Sequence, residues 1–417
     1  MAHMVLDWLV KYWGVLLFYV GVIGLVYYNR AKFEFEGRFV ALYKTKWGID
    51  LMKRFAESYP RLVHWFGVSG IYFGFFGMFL TLVMVSFAIY MLISNPTGPA
   101  VFQPVIPGFE MPGGIRIPLI QGLLALFVVV IIHEFAHGII CKLEKIKVKS
   151  SGFAMIGPLP AAFVEPDEKK LAKAGAKKQL AMFAAGPWSN FIQAILVLGL
   201  LVLAGFASAA VYDNEGVEIT GFNESDSRFD GFEEGMIITG FNNVAVADFT
   251  DLRIALNDRS PGEIVNVTVD GVSRELELVP SNINESVGVM GISIAPIVTS
   301  SNAFLDAIQP AVFWLIGNVH TMSFEESTIG VIMFKVLGGF GFEVFGLLDW
   351  IFHLALGVGL VNLLPLGPVD GGRMLYVSLE KFFGEKRATK VWYNVSMGLF
   401  GIVLLLIFAP ILISLFG

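Results

Sequence analysis

The sequence alternates between long apolar stretches and shorter polar ones. Six of the apolar stretches are long enough, at about 20 residues, to cross a bilayer as an α-helix. They lie at residues 5–28, 67–93, 118–141, 182–209, 343–365 and 392–416. The first is long and is not followed by a small-residue cleavage site, which predicts a retained span rather than a cleaved signal peptide. The expected fold class is therefore a polytopic α-helical membrane protein with about six transmembrane helices.

A different pattern fills residues 211–300, where apolar positions alternate with polar ones. Residues 265–269 and 274–279 both alternate in this way and flank an Asp-Gly turn, which predicts a β-hairpin. Residues 249–257 have apolar side chains at helical spacing and predict a short helix. We expect a small inserted α/β domain of about 90 residues, which is long enough to form its own core.

The remaining segments are harder to assign from their pattern. Residues 29–66 hold eight Lys/Arg among aromatic side chains, and we expect a loop or an amphipathic segment on the membrane surface, with a plain solvated linker as the alternative. Residues 94–117 are rich in Pro and Gly and predict an irregular loop. Short strands are predicted near residues 147–157, and surface-lying helices at 301–342.

Composition and charge support the membrane assignment. Hydrophobic residues make up 55% of the 417 residues and charged residues only 15%, a balance typical of membrane proteins. The segments 29–66, 142–181 and 381–390 are basic, whereas residues 211–300 hold sixteen Asp/Glu against four Lys/Arg. The positive-inside rule then puts the three basic segments in the cytoplasm, and both termini and the acidic domain outside. The single cysteine, Cys141, excludes an internal disulfide.

The candidate chemistry lies at the end of the third span, where His133-Glu134 is followed by His137. Two His four residues apart share one face of a helix, so both rings can reach one metal ion. Glu134 can face a water at the metal, as a general base would. The alternative is a helix whose His and Glu only hydrogen-bond inside a bundle. Ionisable groups within a membrane are costly, which favours a functional zinc site.

A catalytic zinc site takes three protein ligands, so a third must come from elsewhere. Cys141 is about 12 Å from His133 along the helix axis, too far for both to bind one ion. Asp370 is better placed, because it follows a Pro- and Gly-rich end of an apolar span on the cytoplasmic side. A plain surface turn at Asp370 is the alternative. We expect His353 to pair locally with Asp349.

Three motifs occur together in a recognisable order. They are His-Glu-x-x-His at 133–137, then Phe183, Gly186, Pro187 and Asn190, and then Asn362-x-x-Pro365 followed by Asp370-Gly371-Gly372. In this order they resemble the site-2 protease family of intramembrane zinc metalloproteases, over about residues 118–209 and 343–375. The family's usual Leu-Asp-Gly reads Val-Asp-Gly here, which keeps the aspartate.

The resemblance implies one Zn2+ cofactor and a set of residue roles. His133, His137 and Asp370 would be the ligands, Glu134 the catalytic base, and Asn190 and Asn362 would line the substrate cleft. The partners would be the lipid bilayer and transmembrane protein substrates, often with the outer domain already trimmed, and no nucleic acid. We expect a multi-pass protein of the cell membrane with its active site near the cytoplasmic side.

The resemblance also organises the chain into regions. The inserted domain resembles a PDZ domain, since residues 232–243 match the strand and turn pattern of that fold. The predicted regions are 1–117 (two spans and the Pro/Gly-rich loop), 118–209 (first part of the catalytic core), 211–300 (extracytoplasmic PDZ-like domain), 301–342 (surface helices) and 343–417 (second part of the core and the last span).

Two other functions are consistent with parts of the sequence. A metal transporter would carry several ligand sets along a path, whereas the sequence offers one. A catalytically silent scaffold that displays the PDZ-like domain would have no obvious need for Glu134.

Overall fold

The structure is a computed structural model that describes residues 2–37, 39–96, 102, 105–109, 117–222, 226–247, 249–256, 259–280, 288–300 and 346–416. Tertiary contacts divide the chain into two compact units. One consists of Met1–Gly199 with Leu347–Gly417, and the other of Leu200–Gly346. The surface helices expected at residues 301–342 lie outside the described residues, as does most of the loop expected at 94–117.

Ten helices occur in the described part of the chain. They are α1 (Ala2–Tyr28), α2 (Ile49–Ser58), α3 (Pro60–Ser94), α4 (Leu119–Leu143), α5 (Glu168–Ala172), α6 (Ala176–Val211), α7 (Phe249–Leu256), α8 (Gly346–Asn362), α9 (Asp370–Phe383) and α10 (Glu385–Phe416). Five of them, α1, α3, α4, α6 and α10, are long and apolar enough to cross a membrane. The remaining predicted span contains the shorter apolar helix α8. The polytopic helical membrane fold is confirmed, with five full-length spans among the described residues.

The first unit also contains an antiparallel sheet in the order β1-β2-β3-β4. Its strands are β1 (Glu34–Glu36), β2 (Val40–Thr45), β3 (Val148–Ile156) and β4 (Leu159–Pro166). The strands expected near 147–157 are present as β3. The prediction of a loop or amphipathic segment at 29–66 missed β1 and β2, because β2 pairs with distant residues, such as Val40 with Ile156.

Polar side chains connect all four of these strands. Lys44 Nζ on β2 lies 3.0 Å from Glu34 Oε2 on β1 and 3.4 Å from Glu165 Oε2 on β4. Ser150 Oγ donates a hydrogen bond of 2.5 Å to Glu165, and this bond together with Lys44 lowers the pKa of the Glu165 carboxyl. The resulting stabilisation is present above the ordinary carboxyl range and is lost as the pH falls through the lowered pKa.

The second unit is built on a sheet in the order β12-β5-β6-β8-β9, with β7 paired to β6 and a separate β10-β11 pair. Its strands are β5 (Tyr212–Gly221), β6 (Ile237–Phe241), β7 (Val244–Ala245), β8 (Ile264–Val269), β9 (Val272–Glu277), β10 (Val279–Pro280), β11 (Gly288–Val289) and β12 (Ser293–Ser300). The expected hairpin is present as β8-β9, and its turn residues Asp270 and Gly271 have φ of 48° and 80°, as a tight hairpin turn requires. The likeness to a PDZ domain remains a prediction.

Helix packing in the first unit depends on small residues along one face of α3. Four glycines on this face are buried: Gly67, Gly70, Gly74 and Gly77. A Cβ added at Gly67 would lie 3.0 Å from Ile140 of α4, and one at Gly74 would lie 2.6 Å from Met374 of α9. One added at Gly77 would collide with Leu363. Side chains from neighbouring elements fill the space left by these glycines, so α3 packs closely against α4 and α9.

We expect Gly77→Val to destabilise the protein, since the added side chain must displace Leu363. Overpacking of this kind costs about 1–3 kcal/mol. Gly21→Val is the matched control, because Gly21 also lies in a spanning helix and has nothing within 4 Å of an added Cβ. Thermal unfolding of the two variants in detergent checks the prediction, and an equal Tm for both would contradict it.

Candidate metal centre

His133 and His137 lie on the same face of α4. Their ring centroids are 4.8 Å apart and the ring planes meet at 77°. Both residues are buried, with exposed fractions of 5% and 8%. The helical spacing of four residues therefore brings two imidazoles together inside the membrane part of the protein.

Asp370 is the first residue of α9, and its carboxylate lies next to the two imidazole rings. Its Oδ2 lies 3.1 Å from His133 Nε2 and 3.4 Å from His137 Nε2. The three possible ligand atoms lie within 4.8 Å of one another, and no other cluster of three such residues occurs among the described residues. Ligand atoms on one tetrahedral ion are about 3.5 Å apart, so the three side chains have the right spacing for a single metal ion.

Two glycines let the start of α9 come this close. A Cβ added at Gly371 would collide with the carbonyl group of Leu363, and one at Gly372 would collide with that of Leu366. Trp392 of α10 donates a hydrogen bond of 2.9 Å to the Gly372 carbonyl. The Asp-Gly-Gly sequence is therefore needed to pack the first turn of α9 against the preceding backbone, and this packing positions the aspartate.

The other ring nitrogen of each His also has a partner. His137 Nδ1 donates to the Met182 carbonyl of α6 over 2.6 Å, which leaves Nε2 free to bind a metal. His133 Nδ1 lies 3.1 Å from the side-chain amide of Asn190, which is fully buried. Asn190 Oδ1 has no hydrogen-bond partner among the described residues. A half-turn of that amide would let Oδ1 accept the N–H of His133 Nδ1, so both rings could present Nε2 to one ion.

Gly186 of α6 leaves the space that the two rings need. A Cβ at this position would collide with Nε2 of both His133 and His137. Sequence reasoning used Gly186 only as part of a motif and missed both this role and the Met182 carbonyl. The Gly-Pro pair in the middle of an apolar span was the available signal for the first. Every residue has a backbone carbonyl, so the sequence contains no signal for the hydrogen bond between the Met182 carbonyl and His137.

Glu134 is held by the sheet. Its Oε2 accepts a hydrogen bond of 2.9 Å from the backbone N–H of Val164 on β4. One carboxylate oxygen is thereby fixed to the edge of the sheet, beside the helix face that carries the two His. The other oxygen can take part in proton transfer.

The remaining candidate residues are placed elsewhere. Asn362 Nδ2 donates to the Val358 carbonyl of its own helix, so its contact with substrate stays a prediction. Cys141 is fully buried and does not belong to the cluster. His353 lies beside Asp349, with its Nδ1 3.5 Å from the carboxylate, as expected.

The donor set suits a catalytic zinc ion. Two imidazole nitrogens and one carboxylate oxygen are a known ligand combination for such sites, and three protein ligands leave a position for water or substrate. The second partners at Met182 and Asn190 are of the kind that orient metal-binding His. A zinc ion therefore fits the residues present.

An apolar helical bundle with this site defines a membrane protein with a candidate metal centre. The family model of Peptidase family M50 matches residues 121–406 of the chain, a stretch that begins in α4 and ends in α10. The match includes both His, Glu134 and Asp370, and the chain belongs to this family.

Individual relatives are distant. The chain is 30% identical over 224 residues to an uncharacterized protein of Methanocaldococcus jannaschii, covering 53% of this chain and 56% of the relative. It is 23% identical over 244 residues to the zinc metalloprotease RasP of Oceanobacillus iheyensis, covering 53% and 56%. With RasP of Shouchella clausii it shares 25% identity over 227 residues, covering 50% and 52%. The chain spans about half the length of these curated relatives.

We expect Asp370→Ala to lower the zinc content of the purified protein strongly, because it removes one of three ligand side chains. Cys141→Ala should leave the zinc content unchanged, since this thiol lies outside the cluster. Metal analysis of both variants, with thermal unfolding as a check on folding, tests the assignment. A zinc content that depends on Cys141 and not on Asp370 would overturn the ligand set.

Proposed function

We propose that this protein is an intramembrane zinc metalloprotease that hydrolyses peptide bonds in or near transmembrane segments of membrane proteins. The observation that carries the proposal is the convergence of His133, His137 and Asp370 among helices apolar enough to span a membrane. Membership of Peptidase family M50 supports it.

Each side chain has a role in the proposed reaction. His133, His137 and Asp370 hold the zinc ion, and Glu134 is the general base. A zinc ion held there would supply Lewis acidity, which lowers the pKa of water towards 7 and polarises a carbonyl group. Glu134 takes the proton of that water and passes it to the leaving amine. The bond from Val164 N–H keeps this carboxylate oriented while the proton moves.

The edge of β4 is the proposed substrate guide. Peptide groups of a transmembrane helix are already hydrogen-bonded, so a helical substrate must unwind before cleavage. Val164 N–H points away from β3 towards Glu134, and alternate residues of a strand point the same way, so Ala162 faces this edge too. Because Val164 N–H is already bonded to Glu134, an unwound segment added to this edge would pair with the backbone of Ala162 and lie beside Glu134.

The proposed orientation of the protein in the membrane rests on the distribution of charge along the chain. The basic segments 29–66 and 142–181 favour a cytoplasmic location for the sheet and for the nearby end of α4. The acidic unit would then lie outside the cell and admit only substrates whose outer domain has been trimmed.

Glu134→Gln should retain zinc and remove most cleavage, because the variant loses the base but no ligand. Loss of a general base lowers turnover by about 10²- to 10⁴-fold. The measurement is cleavage of single-span peptides in detergent, with zinc content determined on the same sample. Glu57→Gln is the control, since Glu57 is exposed and pairs only loosely with Lys53 at 3.9 Å. Near-normal turnover in Glu134→Gln would rule out the role of the base.

Replacing residues 213–297 by a short flexible linker tests whether the acidic unit excludes substrates with bulky outer domains. Small single-span peptides should still be cleaved, and substrates with bulky outer domains should be cleaved faster than by the intact protein. A variant that stays folded and zinc-loaded but cleaves no small peptide would show that the second unit helps to build the active site.

A further inference from the structure

A cavity of about 500 Å³ opens where the ends of four helices of the first unit meet. Its inner wall is apolar and includes Val63, Val68, Ile140 and Leu143. Its rim is polar and carries His64, Glu144, Lys177, Lys178 and Lys381. These residues come from α3, α4 with its C-cap, α6 and α9. We refer to this site as the basic cavity.

The basic cavity lies at the level where spanning helices end. The span of α4 ends at Leu143, and that of α6 begins at Ala176. The apolar wall therefore faces the hydrocarbon region, whereas the lysines stand at the polar boundary of the membrane. A ligand that fills the cavity must be apolar at one end and polar at the other.

The charge of the rim determines which charge the polar end of a ligand should carry. Lys178 Nζ pairs with Glu144 Oε2 at 2.8 Å, which neutralises one lysine. Lys177 and Lys381 add two positive charges from different helices, and both are exposed. The rim also includes the N-terminus of α6, which has no acidic residue in its first turn and contributes the positive end of the helix dipole. The rim is thus suited to a negatively charged group.

We propose that the basic cavity binds an anionic phospholipid. Its phosphate lies between Lys177 and Lys381, and an acyl chain runs along Val68 and Leu143. Clusters of Lys between helix ends at a membrane surface recognise anionic headgroups, at a gain of about fivefold per lysine. The apolar wall favours a lipid over a free phosphate ion, because a free ion would leave that wall in contact with water.

Such a lipid would brace the helices that build the metal centre. α4 carries His133 and His137, α6 supplies the carbonyl that binds His137, and α9 begins with Asp370. These three helices, together with α3, line the basic cavity. Binding at the basic cavity therefore resists separation of the elements that hold the three candidate ligands, and this should raise the thermal stability of the full-length protein.

The test is a lipid titration of the full-length protein in detergent, followed by thermal unfolding. Short-chain phosphatidylglycerol, phosphatidylcholine of the same chain length and inorganic phosphate are compared. The double variant Lys177→Gln/Lys381→Gln removes two charges from the rim, and Lys381→Gln alone is the milder variant. The matched control is Lys169→Gln/Lys173→Gln, which removes two exposed lysines that do not line the cavity.

We expect phosphatidylglycerol to raise the Tm of the intact protein and of the control, and phosphatidylcholine and phosphate to leave it unchanged. The double variant should bind phosphatidylglycerol about tenfold or more weakly, and the single variant about fivefold. Equal effects of the two lipids, or equal affinities of the double variant and the control, would overturn the proposal. A Tm increase with phosphate alone that the double variant loses would also overturn it, in favour of a free anion.

Discussion

The costliest feature of this protein is a set of ionisable side chains inside a membrane. His133, His137 and Asp370 can occupy such a place only because they face one another at hydrogen-bonding distance, which offsets the loss of water. The rest of the first unit is built to keep them together. Helix α4 supplies the two candidate His ligands, and α9 supplies the aspartate. Helix α6 supplies the partners of the two Nδ1 atoms.

Close packing of backbones makes this arrangement possible. In lipid there is little hydrophobic force between helices, so association depends on small residues that allow close approach. The glycines of α3 accept side chains of α4 and α9, Gly186 makes room for the two imidazoles, and Gly371 and Gly372 let α9 begin against the preceding turn. An added methyl group would collide with the two imidazoles at Gly186 and with the preceding backbone at Gly371 and Gly372, whereas along α3 it would force neighbouring side chains to shift.

Much of this could be predicted from the sequence, and the failures have a common cause. Helical periodicity is local, so the spans and the shared face of His133 and His137 follow from nearby residues. The third ligand was predicted from a motif far along the chain, because Asp370 follows a Pro- and Gly-rich break that is unusual in a span. Strand β2 was missed because its partner β3 is distant in sequence, and β1 was missed with it because the partner of β1 is β2. The carbonyl of Met182 was missed because main-chain atoms leave no trace in residue identity.

The hydrogen bond between Val164 N–H and Glu134 has a consequence for how this protein can vary. Its donor is a main-chain group, so every residue type except proline can supply it. Selection on this contact therefore acts on the path of the β4 backbone, whereas the Val164 side chain is constrained separately, by its packing against the buried hydrophobic cluster of the first unit. Diverged homologues could share the orientation of the carboxylate while showing no common residue at this position.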